Sequence, residues 1–241
     1  MNSLVLLKKV LDSLSFVVAP PVCVLCSKLI DMEQDESEHI CNNCFLNLPV
    51  SKSSQEILER INMNFGKENN PFDYAFSLFD SGTNQEFLKI IHTLKYKKFK
   101  KIGTFLGTKL GKKIYENLSL LTYDIDSIIP VPIHRIRQKE RGFNQAEIIA
   151  RAIGNVIDRP VNVDLVSRKL YTQSQTSLHL SERIKNVQNA FEINLNLSKI
   201  KSRNFILVDD VITSGSTLYF CAKLLKENGA NKLIIAVLTT A

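Results

Sequence analysis

The run 205–238 restricts the fold more than any other part of the sequence. Residues 205–208 are continuously apolar and lead at once into Asp209 and Asp210. An unbroken apolar strand is one covered on both faces, as in a parallel sheet wound with helices. Small residues follow, Thr213, Ser214, Gly215, Ser216 and Thr217, and then Leu218, Cys221, Ala222 and Leu225 recur at helical spacing, which makes Cys221 a core residue. Gly229 stands where a helix cap is expected, and 233–238 is again wholly apolar. Strand, helix and strand within about thirty residues form a βαβ unit. The expected fold class is therefore α/β, a parallel sheet with helices on both faces.

Upstream, the pattern predicts a strand over 74–79, helices over 85–96 and 102–115, and a strand over 127–129. Ala146, Ile149, Ala150 and Ile153 then give a helix with one buried face. Residues 51–73 are rich in Ser, Asn, Lys and Glu between Pro49 and Pro71, and read as a linker with a short helix around 57–61. The expected organisation is a small N-terminal module (1–50), this linker (51–73) and an α/β domain (74–241). Leu4, Leu7, Leu11 and Leu14 suggest an amphipathic helix at the start of the module. Lys8, Lys9 and Asp12 interrupt that segment, and no run reaches the roughly 18 uncharged apolar residues needed to span a bilayer. A cytoplasmic protein is expected.

Four of the five cysteines fall in the module, as Cys23-x2-Cys26 and Cys41-x2-Cys44 with fourteen residues between the pairs. This spacing is that of a two-knuckle zinc site, and four thiolates leave no open position for a catalytic water. The expected Zn2+ is structural, in a zinc-ribbon-like module.

The chemistry concentrates in the βαβ unit. A buried strand delivers two carboxylates to the carboxyl end of the sheet, where ligands of open α/β folds sit. The small residues behind them offer backbone N–H groups and hydroxyls to one anion at a helix N-terminus, with Gly215 allowing close approach. Phosphate at the loop and sugar hydroxyls at the acids make a ribose-phosphate site. A second cationic loop lies between His134 and Arg141, where Arg135, Arg137, Lys139 and Arg141 face one acid, Glu140. Guanidinium groups there suit pyrophosphate or a nucleic-acid backbone. The formal charge of +7 likewise favours polyanionic partners without choosing between them.

The stretch 206–218 resembles the signature of the type I phosphoribosyltransferases. The resemblance implies that Asp209 and Asp210 hold the ribose of phosphoribosyl pyrophosphate (PRPP), that Thr213, Ser214, Gly215, Ser216 and Thr217 hold its 5-phosphate, and that Mg2+ accompanies the pyrophosphate. Purine-salvage members of that family tend to carry an acid where this chain has Thr213, which cannot act as a carboxylate base. That departure argues against purine salvage.

A wider resemblance covers nearly the whole chain. Pro130, Val131 and Pro132 with Arg141, Gly142, Phe143, Asn144 and Gln145, then Gln175 to Leu178 leading to Arg183, Asn186 and Phe191, then Asp209 to Thr217, all behind four cysteines, resemble the ComF family of bacterial competence proteins, of the ComFC type. It implies a phosphoribosyltransferase-like fold in a protein of natural transformation, with single-stranded DNA and other DNA-uptake proteins as partners. Val131, Pro132, His134, Arg135 and Arg141 are the expected pyrophosphate loop. The polar segment 173–177 is either a flap over the ligand or an ordinary surface loop.

Lys95, Tyr96, Lys97, Lys98, Phe99, Lys100 and Lys101 set five lysines around two aromatics. Lysines neutralise successive phosphates while an aromatic face stacks an unpaired base, so this stripe, with Arg137, is the candidate single-stranded DNA surface; a solvated helix end is the alternative. Two functions remain in competition. One is a competence protein that binds PRPP and single-stranded DNA. The other is an active phosphoribosyltransferase that passes ribose 5-phosphate to a nitrogen acceptor, although no general base stands out. A repressor of duplex DNA is a weaker third, for no helix-turn-helix segment is visible.

Overall fold

The computed structural model describes residues 20–82, 85–96, 100–118, 124–170, 187–194 and 200–241. The helix expected on Leu4 to Leu14, the lysines Lys97 and Lys98, and the segment 173–177 lie outside the described residues. The chain divides into two compact units, one ending at Leu48 and the other spanning Pro49–Ala241.

In the smaller unit, a tight turn at Cys23 (Cys23 N to Lys28 O, 2.8 Å; Ser27 N to Cys23 O, 2.9 Å) forms one knuckle. Helix α1 (Asn42–Leu46), with Cys41 at its N-cap, forms the other. Its buried apolar residues among those described are few: Cys23, Ile30 and Ile40.

The larger unit is built on four parallel strands, β1 (Tyr74–Asp80), β2 (Ser127–Pro130), β5 (Phe205–Ile212) and β6 (Leu233–Thr240), in the order β1-β6-β5-β2. A separate antiparallel pair joins β3 (Val166–Arg168) to β4 (Phe191–Ile193). The central strands β5 and β6 are covered on both sides, as their unbroken apolar runs require. On one face Ile129, Leu207, Ile235 and Val237 share a core with Ile57 and Ile61 of α2 (Ser54–Phe65) and with Leu218, Cys221 and Leu225 of α7 (Ser216–Glu227). On the other, Ile128, Ile206, Val208, Ile234 and Ala236 are buried beneath α4 (Lys100–Asn117) and α6 (Gln145–Ile157). Helices on both faces of a parallel sheet are the architecture expected.

Residues 51–73 are not a linker. They contain the twelve-residue α2, opened by a capping box in which Ser53 Oγ accepts from Glu56 N and Glu56 accepts from Ser53 N. Polar composition shortened the expected helix to 57–61 because only a narrow stripe is buried: Ile57 and Ile61, one turn apart, are covered almost completely. The larger unit accordingly starts at Pro49, not at residue 74.

Helices α4 and α6 approach closely through Gly103, Gly107 and Gly111. A Cβ at Gly107 would lie 2.8 Å from Ala152 Cβ and 2.9 Å from Ile149 O. Ala favours a helix over Gly by about 1 kcal/mol, but overpacking such a contact costs about 1–3 kcal/mol. Gly107→Ala is therefore expected to lower the urea midpoint, with a net loss of about 1 kcal/mol. An unchanged midpoint would show that the helices part at little cost.

Candidate functional site

Strand β5 runs from a dry interior to the carboxyl edge of the sheet, and there its side chains become acidic. Asp210 is buried at 6% exposure. Its backbone N–H donates to Asp209 Oδ1 at 2.9 Å, and its own Oδ2 lies 3.1 Å from Lys95 Nζ. Burial, together with the neighbouring Asp210, pushes the Asp209 carboxyl from its ordinary 3.8 up to about 7; the Asp210 amide, Lys95 and Arg168 oppose the rise. Two acids so placed suit a cation or a set of hydroxyl donors.

The chain then turns tightly. Gly215 adopts φ 75°, ψ −1°, a left-handed conformation that glycine takes without strain, and caps α7. Ser214 Oγ lies 3.0 Å from Ser216 Oγ. Residues 211–218 and Asp209 line a small hollow at the head of α7, where free N–H groups and the helix dipole favour an anion.

The acids open onto a larger cleft of about 380 Å³. Its walls hold Val131 and Pro132 beyond β2, Arg137 and Arg141 of the short helix α5 (Arg135–Arg141), and Thr213 and Thr217 from the loop. The third wall comes from α3 (Gln85–Tyr96), where Leu88, Ile91, His92 and Lys95 recur at i, i+3, i+4 and i+7 and so share one face. Arg168, at the end of β3, completes the lining; burial, with Arg137 close by, holds its pKa below the usual guanidinium value.

Asn144 and Gln145 fix the entry to α6. Asn144 Oδ1 accepts from Ala146 N at 3.1 Å and its Nδ2 donates to Val131 O at 3.0 Å, so one side chain caps the helix and holds the strand end. Arg141 Nη1 donates to Gln145 Oε1 at 3.3 Å. Gln145 Nε2 is buried and has no hydrogen-bond partner among the described residues, a donor suited to a ligand oxygen after a small shift.

Most of the residues singled out from sequence meet in this one place. Asp209, Asp210, Thr213, Thr217, Val131, Pro132 and Arg141 line the cleft, and Ser214, Gly215 and Ser216 line the adjoining hollow. His134 and Arg135 are not among the lining residues; His134 Nδ1 accepts from Ile136 N at 3.2 Å and caps α5. Lys95 and Arg137, expected on a DNA surface, line the cleft instead, while Lys100 and Lys101 are exposed at the start of α4. Sequence reasoning missed Arg168, Leu88, Ile91 and His92. The 88-91-92-95 spacing was a readable signal for the α3 wall, whereas a lone Arg in a short strand gave none.

In the smaller unit, the Sγ atoms of Cys23, Cys26, Cys41 and Cys44 all lie within 4.8 Å of one another, with Cys26 and Cys41 3.8 Å apart. A tetrahedron with Zn–S bonds near 2.3 Å has edges of about 3.8 Å, so the four sulfurs fit a zinc ion. Burial raises the Cys23 thiol, but amide donors from Cys26, Cys41 and Leu25 outweigh it and hold the group at about 7. Cys44 moves upward through burial and the sulfurs of Cys26, Cys41 and Cys23. His39 is not part of the cluster.

Residues 136–241 match the phosphoribosyl transferase domain family. Competence protein F of Haemophilus influenzae is 37% identical over 108 residues, which cover 45% of this chain and 47% of that protein. The DNA utilization protein YhgH of Shigella flexneri is 31% identical over 142 residues, 58% of this chain and 61% of that one. Competence protein ComFC of Bacillus subtilis is 33% identical over 102 residues, 42% of this chain and 39% of that one. This chain is similar to ComF-type competence proteins and matches the phosphoribosyl transferase domain family over residues 136–241. It spans between 39% and 61% of the length of these curated relatives. The matched domain begins in α5 and includes Arg137, Arg141, Arg168, the two acids and the loop, while the α3 wall and residues 131–133 of the cleft lie before it. No helix among the described residues is long and apolar enough to cross a membrane.

Proposed function

We propose that this chain binds Mg2+-PRPP in the cleft at the carboxyl ends of β2 and β5, and binds single-stranded DNA, as a cytoplasmic protein handling internalised DNA in natural transformation. One observation carries the reading: Asp209 and Asp210 open onto the same cleft as Arg137, Arg141 and Arg168, next to a hydroxyl-lined turn. The turn takes the 5-phosphate, the acids take the ribose hydroxyls, and the guanidinium groups take the pyrophosphate. Mg2+ is held through one or two carboxylates and the substrate phosphates, the arrangement this ion favours, so Asp209 and Asp210 are its protein partners. When bound it would supply positive charge beside the two acids. Zn2+ is held by Cys23, Cys26, Cys41 and Cys44 in a structural role.

DNA binding is supported by the competence and DNA-utilisation names of the relatives and by the basic run from Lys95 to Lys101. Lys100 and Lys101 take phosphates, with Tyr96, Lys97 and Lys98 as further candidates. Lys95 and Arg137 belong to the PRPP cleft in this reading.

The apolar wall of Leu88, Ile91, Val131 and Ile133 favours a second reading, transfer of ribose 5-phosphate to a planar nitrogen acceptor seated on that wall. Calorimetry with Mg2+ and PRPP, followed by titration of a labelled oligonucleotide with and without PRPP, tests the first reading. Saturable heat and oligonucleotide binding that weakens at least tenfold between about 50 and 200 mM salt are expected. No heat would remove the PRPP reading, and salt-insensitive binding the DNA reading. Rapid pyrophosphate release with a nucleobase or amine present would instead establish the transferase.

A further inference from the structure

An anion cradle works only when its backbone N–H groups face the ligand. In a planar trans peptide the carbonyl points opposite to the N–H of the next residue, so the outward carbonyls must be satisfied elsewhere. At this loop they meet α2. Arg60 Nη1 donates to Ile212 O at 3.3 Å and to Thr213 O at 3.4 Å, and Asn64 Nδ2 donates to Ser214 O at 2.9 Å. Arg60 also donates to the backbone oxygen of Ala241. With Thr213 O and Ser214 O anchored on α2, and Ile212 O shared between Arg60 and the Ala241 N–H (3.0 Å), the N–H groups of Thr213, Ser214 and Gly215 are directed to the opposite side, toward the hollow.

The apolar side of the contact reinforces the polar one. Ile61, fully buried between Arg60 and Asn64, closes the back of the turn, its Cγ1 only 3.1 Å from where a Cβ at Gly215 would stand. One turn on, Phe65 stacks on Tyr219 with ring centroids 3.9 Å apart and planes 7° from parallel, and meets Phe220 edge-on at 5.9 Å. Residues 60, 61, 64 and 65 therefore grip both the loop and the first turn of α7.

We propose that Arg60 and Asn64 are positioning residues for the sugar-phosphate site, fixing the peptide planes of 212–215 so that their N–H groups converge on the ligand phosphate. This rests on the PRPP reading of the cleft for its ligand, and on geometry alone for its effect on the loop. Neither residue touches the phosphate; each acts through the carbonyl it holds.

The test uses the full-length chain with Asn64→Leu and Arg60→Met, which keep bulk and remove the donors, and Arg60→Lys, which restores one. Calorimetry with ribose 5-phosphate and separately with inorganic pyrophosphate reads the two halves of the cleft. Asn64→Leu is expected to weaken ribose 5-phosphate about tenfold while pyrophosphate stays within about twofold, with Arg60→Lys recovering part of the loss seen in Arg60→Met. Equal losses for both ligands with a fall in melting temperature would reduce α2 to general support and overturn the proposal, as would an unchanged ribose 5-phosphate affinity. Amide hydrogen exchange without ligand tests the brace independently. Residues 213–216 should exchange faster in Asn64→Leu, and an unchanged rate overturns the brace. If the wild-type chain binds neither ligand while Asn64→Leu still exchanges faster than wild type at 213–216, the PRPP reading sinks and the brace stands.

Discussion

Asp209→Asn is expected to abolish PRPP binding and, in the same sample, to raise the stability of the ligand-free protein at neutral pH. The two effects have one cause. Burial and the adjacent Asp210 push the Asp209 carboxyl up to about 7, so the folded chain holds a proton there that the unfolded chain has already released. Between its ordinary 3.8 and about 7 the folded state binds more protons than the unfolded state, and stability falls as pH rises through that window. Above the window the protein carries the full cost of two crowded carboxylates. The amide removes that cost, and the cleft-facing position keeps the gain to about 1–2 kcal/mol, or roughly 3–6 °C in melting temperature at pH 8. At pH 4 the variant and the parent should melt together. In the proposed function, Mg2+-PRPP would offset the same cost in the parent by bringing charge to the acids. The amide keeps one acceptor oxygen but removes the charge that the metal contact needs, and the variant's affinity should fall at least about a hundredfold. A melting difference that does not grow from pH 4 to pH 8, or PRPP affinity untouched by the change, would separate Asp209 from the role given to it.

The parts of the site that could be read from sequence are those whose chemistry is local. Asp209, Asp210 and the turn 213–217 lie in one strand-turn-helix segment, where an apolar run, two acids and small residues leave few other conformations. The cleft around them was less legible because tertiary packing assembles it. Lys95 looked like the first residue of a lysine stripe, yet helical spacing sets it on the same face as Leu88 and Ile91, and that face turns toward Asp210. Arg168 arrives from a three-residue strand whose pairing with Phe191–Ile193 no local pattern announces. The full length of helix α2 was concealed by composition, although Ser53 and Glu56 form the S-x-x-E box that marks a helix start; counting polar residues left a short helix around 57–61 in a linker and outweighed a capping signal that was present. The stripe Gly103, Gly107 and Gly111 also had its meaning withheld, since a helical glycine reads as a propensity cost until the helix it lies against is known.

Removing the metal from the cysteine unit should have the largest effect on stability of any change in this protein. Among the described residues its interior offers Cys23, Ile30 and Ile40 and little else, so residues 20–48 bury little apolar area of their own. A structural zinc contributes on the order of 10–16 kcal/mol in small thiolate sites, enough to replace the missing core. Four sulfurs crowded within 4.8 Å also repel one another as thiolates and leave polar thiols packed together as neutral groups, so the geometry is favourable only around a cation. One zinc per chain is expected by elemental analysis, with cobalt substitution giving the intense absorption of tetrahedral thiolate ligation. Cys41→Ser should lower the metal content and expose the amides of 23–45 to rapid hydrogen exchange, because Cys41 belongs to the four-sulfur cluster and is also the N-cap residue of α1. Strong chelation of the wild-type chain should reproduce that exchange pattern without any substitution. If the chain carries no zinc, or if the chelated protein keeps its slow exchange at Cys23, Ile30 and Ile40, the unit is held by something other than its four sulfurs.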